Sequence, residues 1–310
     1  MNRRQFIQGV GYGVLTLSAA GCGVSLPGSS GTVPAKPAAS AVASPYDKSK
    51  LIVAAGKEPE LLIEKGFQAL GGIEKLVAKG ATVVIKPNFS VPRKPEEAAT
   101  TNPLLVAAVV KKCLAVGAKE VKVLDYPFNS PPVCLANSGI KTAVDAVGGK
   151  TFTTHTQSFY SQVNMGGTIL KDVLFSKDVL EADVFINFPI LKHHGITKVT
   201  LGMKNMMGLV WDRGYFHKTD LNQAIAELAA YRKPQLTIMD ATRGIIDHGP
   251  VGPGTIQEWN QVVFGVDAVA VDAYGAKLFG VEPSEIAYIA AAAKMGVGEM
   301  DLQKISLVKV

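Results

Sequence analysis

Cysteine is scarce in this 310-residue chain, with three in all and no two spaced as CxxC. That spacing excludes a ferredoxin-type iron–sulfur segment and a structural zinc ribbon within the chain. Histidine numbers only five, and no HxH, HxxxH or HExxH pair occurs, so no ready-made metal-binding turn is written in the sequence. The GxSxG elbow, the GxxxxGK[ST] phosphate loop and a GxGxxG run after a strand are also absent. Their absence removes the usual signatures of serine hydrolases, P-loop nucleotide hydrolases and dinucleotide-binding enzymes. Aromatics make up 7% and no Lys/Arg stripe interleaves with them, which leaves nucleic-acid binding without support. No repeat of solenoid period is present.

What is there is a globular composition, 47% hydrophobic and 19% charged, with 31 glycines and 17 prolines that imply many turns. The length suits two average domains or one large α/β domain. The opening "MNRRQFIQGVGYGVLTLSAAGC" places Arg3-Arg4 and Phe6 ahead of a short, glycine-rich apolar run. Residues 1–22 therefore read as an export signal of twin-arginine type, served by the twin-arginine machinery, with an ordinary secretory signal as the alternative. "LSAAGC" resembles a lipoprotein cleavage box in which Cys22 would be acylated, although Ala19 stands where Leu is usual. The expected location is the periplasm of a bacterium, free or tethered to a membrane through Cys22. Loss of Arg3 and Arg4 with the signal would lower the formal charge of +6 by two, leaving a mildly basic body. Residues 23–50 are rich in Ala, Ser, Pro and Gly without an apolar period and read as a flexible tether.

Residues 51–310 are expected to form a single α/β domain. β-rich runs such as "LIVAAG", "ATVVIKPN" and "VKVLDYP" alternate with helical patterns from about Pro59 to Lys79, from Pro103 to Val116 and around Lys141. That order predicts a mostly parallel or mixed sheet with helices on both faces. Thr101 and Asn102 are cap candidates for the helix opened by Pro103. A small antiparallel hairpin is expected around Gly166-Gly167. Short helix and strand follow in "SKDVLEADVFINFP". Then come a helix in "LNQAIAELAAYRK", a strand in "PQLTIMD", helices in "DAVAVDAYGAKLFG" and "SEIAYIAAAAKMG", and a closing strand in "KISLVKV". Cys113 falls in a predicted helix and Cys134 in a predicted loop; two free structural thiols are expected, with a disulfide between them formed in an oxidising periplasm as the alternative.

Four predicted strands end in polar residues: Lys86 with Asn88, Asp125, Asn187 followed by Lys192 and His193, and Asp240. In parallel α/β sheets ligands collect beyond the carboxyl ends of strands. A lysine directly after a buried strand is costly unless its charge has a partner.

The blocks "VVIKPNFS", "FINFPILKHHGITKVTLGMKNMMGLV", "FHKTDLNQAIAEL", "LTIMDATRGIIDHGPVGPG" and "GVDAVAVDAYGAKLFG" resemble, in order, those of the domain of unknown function 362 family. The resemblance runs from about Leu51 to the last helices, and Lys-Pro-Asn and Gly-Met-Lys-Asn are its most specific parts. It implies an α/β fold and a prokaryotic origin, and no particular reaction. Some members carry ferredoxin-type cysteine clusters, which ties the family loosely to redox metabolism; this chain lacks them.

Two chemistries fit these residues. Metal ligation could draw on His193, His194, His217, Asp240, Asp247 and His248, so a divalent metal stays open as a cofactor. Adjacent histidines point to opposite faces of a strand, however, and would seldom share one ion. Anion binding has wider support: Lys86, Asn88, Lys192, Lys204 and Asn205 would hold the ligand, with Gly202 and Gly208 allowing close approach. "GITKVTLGMKN" is expected to open a helix whose free amides attract phosphate or carboxylate. Met203, Met206 and Met207 read as core. His193, His217, Asp240 and His248 are the candidate catalytic residues, a histidine moving a proton or binding metal while Asp240 orients it. Asp267 reads as a helix cap, whereas Asp272 falls mid-helix in apolar surroundings. The leading expectation is an exported protein whose crevice binds an acidic small molecule and acts on it. The alternative is a non-catalytic periplasmic binding or accessory lipoprotein that supports a redox complex.

Overall fold

Alternation along the strands decides which face of the sheet each side chain enters. In the computed structural model, which describes residues 43–310, Val83 and Ile85 enter one buried cluster and Val84 the other. The strands are β1 (Lys50–Ala55), β2 (Thr82–Pro87), β3 (Glu120–Asp125), β4 (Lys150–Thr153), β5 (Tyr160–Asn164) and β6 (Asp172–Ser176). They continue with β7 (Val184–Phe188), β8 (Lys192–His194), β9 (Lys198–Thr200), β10 (Leu236–Ile245), β11 (Ile256–Gly265) and β12 (Ser306–Lys309). The helices are α1 (Pro59–Leu70), α2 (Pro103–Ala115), α3 (Pro131–Asn137), α4 (Ile140–Asp145), α5 (Lys177–Glu181) and α6 (Gly202–Asn205). After them come α7 (Gly214–Lys218), α8 (Leu221–Tyr231), α9 (Ala268–Phe279) and α10 (Ala287–Lys294).

Eight strands form the main sheet in the order β12-β1-β11-β10-β7-β2-β3-β4, and two antiparallel hairpins, β5-β6 and β8-β9, stand apart from it. β11 is antiparallel to both β1 and β10, and every other pairing is parallel. The sheet is therefore mixed, with the carboxyl ends of β10, β7, β2 and β3 side by side on one rim. On one face α1 and α2 pack Phe67, Leu105 and Val109 against Ile85, Ile186 and Phe264. On the other, α8, α9 and α10 bring Leu228, Val271 and Ile289 against Val84, Phe185 and Met239. Gly66 lets α1 lie close on the sheet, since a Cβ there would fall within 2.1 Å of the Phe264 ring.

Several local expectations change. The first helix stops at Leu70 and not near Lys79, because Gly71 takes a left-handed conformation and its N–H closes onto the Gln68 and Phe67 carbonyls. Tyr46 is buried and donates to the Gly72 carbonyl at 2.8 Å, and Lys50 opens β1, so the stretch just before Leu51 is part of the body and not of the tether. Cys134 lies in α3, not a loop, and both it and Cys113 are buried free thiols. "TFTTHTQ" supplies β4, a parallel edge of the main sheet. β11 went unread because its outer half, "IQEWN", is polar and solvent-facing. The strand expected to end at Asp240 instead continues as β10, paired to β11 as far as Ile245.

Other expectations hold. Asn102 caps α2 by accepting from Leu104 N, and Asp267 caps α9 through Val269 N and Ala270 N. The Gly166-Gly167 hairpin is β5-β6. Its turn is gripped by Glu227 of α8, whose carboxylate accepts from the amides of Thr168, Ile169 and Leu170. Among the described residues no helix is long and apolar enough to cross a membrane. Arg3, Arg4 and Cys22 lie outside the described residues.

Candidate functional site

The strand rim carries a closed polar network. Lys86, at the end of β2 and fully buried, donates to Asp125 Oδ1 at 2.7 Å, Pro87 O at 2.9 Å and Asn205 Oδ1 at 3.0 Å. An ammonium has three N–H bonds, so this one has none left over. Asp125 is equally satisfied, accepting also from Tyr126 N, Phe89 N and the Ser90 hydroxyl. Asn205 uses its whole amide: Oδ1 accepts from Lys86 and Asn88, and Nδ2 donates to Lys86 O and to Asn187 Oδ1. Gly208 lies against the ion pair, where a Cβ would come within 2.4 Å of Asp125 Oδ1. Burial pulls the Lys86 amine below the usual range, opposed by Asp125.

Above this network opens a cleft of about 740 Å³. Its floor is Asn88, Asn205 and Gly208; one wall is the β8-β9 hairpin and another runs from Trp211 to His217, with Tyr126 and the Gly249–Val251 loop at the sides. Arg93 secures that loop by donating to the carbonyls of Val251 and Gly252. The β8-β9 register sets Lys192 opposite Thr200 and His193 opposite Val199. Period-two alternation then turns Lys192, His194 and Thr200 to the cleft and His193 away from it.

Lys192, 1% exposed, donates to Asn88 Oδ1 at 3.2 Å, Ala99 O at 2.7 Å and Pro250 O at 3.1 Å, with no carboxylate bound. Desolvation lowers its amine to about 7, against the pull of Asp125. Lys204, 8% exposed, makes a single polar contact, to Met207 Sδ at 3.5 Å. Desolvation first and the Arg213 charge second bring it down to about 8. Among the described residues Arg213 has no carboxylate partner either: it donates to the Tyr126 and Pro127 carbonyls and lies 4.0 Å above the Tyr126 ring, which stacks on Trp211 at 5.3 Å. Burial, followed by the charges of Lys204 and Lys192, drives His194 to about 3. Its Nδ1 accepts from Ile196 N and Thr197 N, so the neutral ring carries its proton on Nε2. His217 is lowered by partial desolvation and then by Lys204 and Arg213. Asp212 is the one carboxylate among the lining residues.

Residues 83–277 match the domain of unknown function 362, DUF362. The chain belongs to this family. It is 28% identical over 248 residues to a thylakoid-associated protein of Synechocystis sp. (strain ATCC 27184 / PCC 6803 / Kazusa), covering 74% of this chain and 73% of that protein. Among solved structures it is similar to the lactate racemase apoprotein from Thermoanaerobacterium thermosaccharolyticum, with a TM-score of 0.47 and 14% identity over 76% of this chain. It spans 57% of that chain.

Of the candidate residues, this DUF362 chain brings Asn88, Lys192, Lys204, Asn205 and His217 together around the cleft. Lys86 sits beneath it, sealed by Asp125 and Asn205, and is an internal anchor rather than a ligand group. His193 faces away and accepts from Gly249 N at 3.0 Å. Asp240 orients no histidine: it is fully buried and accepts from Asn102 N, Thr242 N and the Thr242 hydroxyl. His248 is exposed beside Asp247, outside the cleft lining. The expected helix at "GITKVTLGMKN" is mostly the β8-β9 hairpin, and α6 has only four residues. Its first amides are not free for a ligand, because the Asp272 carboxylate accepts from Gly202 N at 2.7 Å and Met203 N at 3.0 Å. That contact also explains the mid-helix Asp272, whose carboxyl is pushed up to about 7 by burial despite the two amides. Among the described residues no group of three or more His, Cys, Asp or Glu is placed to hold a metal ion. Sequence reasoning missed Arg213, Tyr126 and Trp211 as cleft residues, and named His194 only as a candidate metal ligand. Only strand alternation from Lys192 could have pointed to His194.

Proposed function

We propose that the cleft binds a small organic anion, a carboxylate or phosphate whose planar or apolar portion lies along Tyr126 and Trp211. The observation that carries this reading is that Lys192, Lys204 and Arg213 border one cleft and have no ion-pair partner among the described residues. Lys192 and Lys204 are buried, and buried cations without counter-charge are costly, a cost an incoming anion offsets. His194, fixed neutral with Nε2–H, adds a hydrogen-bond donor. Calorimetric titration with glycolate, malonate and phosphate tests the reading. Binding of at least one of these, lost on raising salt or in Lys204→Met, supports it; heats indistinguishable from buffer for all three would sink it.

We also infer that the protein works outside the cytoplasm, delivered by the twin-arginine signal and held at a membrane through Cys22. The support is the Arg3-Arg4 and Cys22 pattern together with the thylakoid association of its relative. Fractionation of cells expressing the full chain and its Cys22→Ser variant checks this: the wild type should pellet with membranes and the variant should be released. A non-catalytic binder is distinguished from an enzyme by recovering the bound ligand from protein exported through its own signal. Unchanged ligand after prolonged incubation marks a binder.

A further inference from the structure

Three lysines surround the strand rim, and they are not equivalent. Lys86 and Lys192 each have three oxygen acceptors around their nitrogen, which use every N–H. Lys204 is more than nine-tenths buried, borders the cleft and, among the described residues, has no oxygen within hydrogen-bonding distance; its one polar neighbour there is a thioether. A thioether is a weak acceptor and stabilises an ammonium poorly. The hydroxyl of Thr200, which lines the same cleft, is buried and has no hydrogen-bond partner among the described residues.

We propose that Lys204 Nζ is a nucleophile that condenses with the carbonyl carbon of a ligand held in this cleft, making the ligand class a small oxo acid. This rests on the anion-binding reading, with Arg213 left to face the carboxylate. The attacking nitrogen must carry a lone pair. Desolvation and the Arg213 charge supply that condition near neutral pH, bringing Lys204 to about 8. In the reaction the Nζ lone pair forms a C–N bond while the C=O π pair moves to oxygen, which takes up a proton to give a carbinolamine. The amine loses a proton, the C–O bond breaks as the hydroxyl leaves as water, and a C=N bond remains. The net change is amine plus carbonyl to imine plus water, with no oxidant required. His194 Nε2–H and His217 border the same space as groups able to donate to or accept from that oxygen. Lys192 is unsuited to the same role, because attack would require it to give up three hydrogen bonds.

Incubating the full-length protein with glyoxylate and sodium cyanoborohydride, followed by peptide mass mapping, tests the proposal on the wild type directly. The expected result is a single reduced adduct on Lys204, with a trapping rate that rises through pH about 8. Lys204→Arg presents a guanidinium with no amine lone pair to condense, so it should abolish the adduct. A Lys204 no more modified than the exposed lysines overturns the proposal. Glycolate binding without a glyoxylate adduct leaves the anion site standing and removes the nucleophile. An adduct on Lys204 with no glycolate binding does the reverse.

Discussion

Two regions a few residues apart use the same residue types to opposite ends. In the strand-end network every donor of Lys86 and every lone pair the neighbours offer to it is matched, and the group is sealed from the cleft by Asn205 and Gly208. In the cleft wall directly above, Lys204 and Arg213 are held in place by a thioether, an aromatic ring and carbonyls, and neither meets a carboxylate. A matched buried ion pair fixes geometry and is inert; a buried cation left unmatched stores unfavourable energy that a ligand can release. The difference teaches that lysine content alone does not mark a ligand site here. The count of acceptors around each nitrogen does.

Substitutions at each region should separate them. The largest effect is expected for Lys86→Met, which leaves Asp125 buried without its cation and should cost about 3–5 kcal/mol in denaturant unfolding. Asp272→Ala orphans the Gly202 and Met203 amides at the head of α6 and should cost roughly 1–3 kcal/mol. Its pH dependence has a definite sign. The folded-state pKa of about 7 lies above the usual carboxyl value of 3.8, so the native state binds the extra proton between them. The contribution of Asp272 is therefore greatest at low pH and declines as pH rises toward 7. Unfolding curves of wild type and variant should converge from pH 5 to pH 8.

Lys204→Met inverts the Lys86 result. It replaces an unmatched buried cation by an apolar chain of similar length, so unfolding should occur at equal or higher denaturant. Anion affinity in calorimetry should fall by about 10- to 100-fold, the value of a charge-assisted hydrogen bond. In the wild type the same affinity should weaken as pH rises through about 7 and about 8, where Lys192 and Lys204 lose their protons. An affinity flat from pH 6 to pH 9 would remove both lysines from the binding term. A smaller effect belongs to His193→Ala, which forfeits one hydrogen bond from Gly249 N, roughly 1 kcal/mol, and should leave anion affinity unchanged. His248→Ala should shift neither unfolding nor affinity.

Parallel strand–helix alternation, the capped start of α2, the Asp267 cap and the buried methionines were legible because each is encoded in a short window. β11 was not, since half of it is polar and its identity as a strand comes from pairing with β1 and β10. Lys86 and Lys204 looked alike in sequence because each follows an apolar or glycine-bounded run. Arg213 and Tyr126 gave no local signal at all: one lies in a solvent-facing turn and the other one residue past a strand.

The sequence by itself determined which polar residues close strands β2, β3 and β7 and therefore which of those groups reach the rim. It also determined that Lys192 and His193 face opposite ways once they lie on a strand, because side-chain direction follows backbone period. Only the tertiary structure decided which of those groups are used up. Asp125 reaches Lys86 from β3, Asn205 from α6, and Asp272 reaches the head of α6 from α9. Hydrogen-bond satisfaction is a property of neighbours brought together across the chain, so the unmatched amine of Lys204 becomes visible only when every other donor has been accounted for.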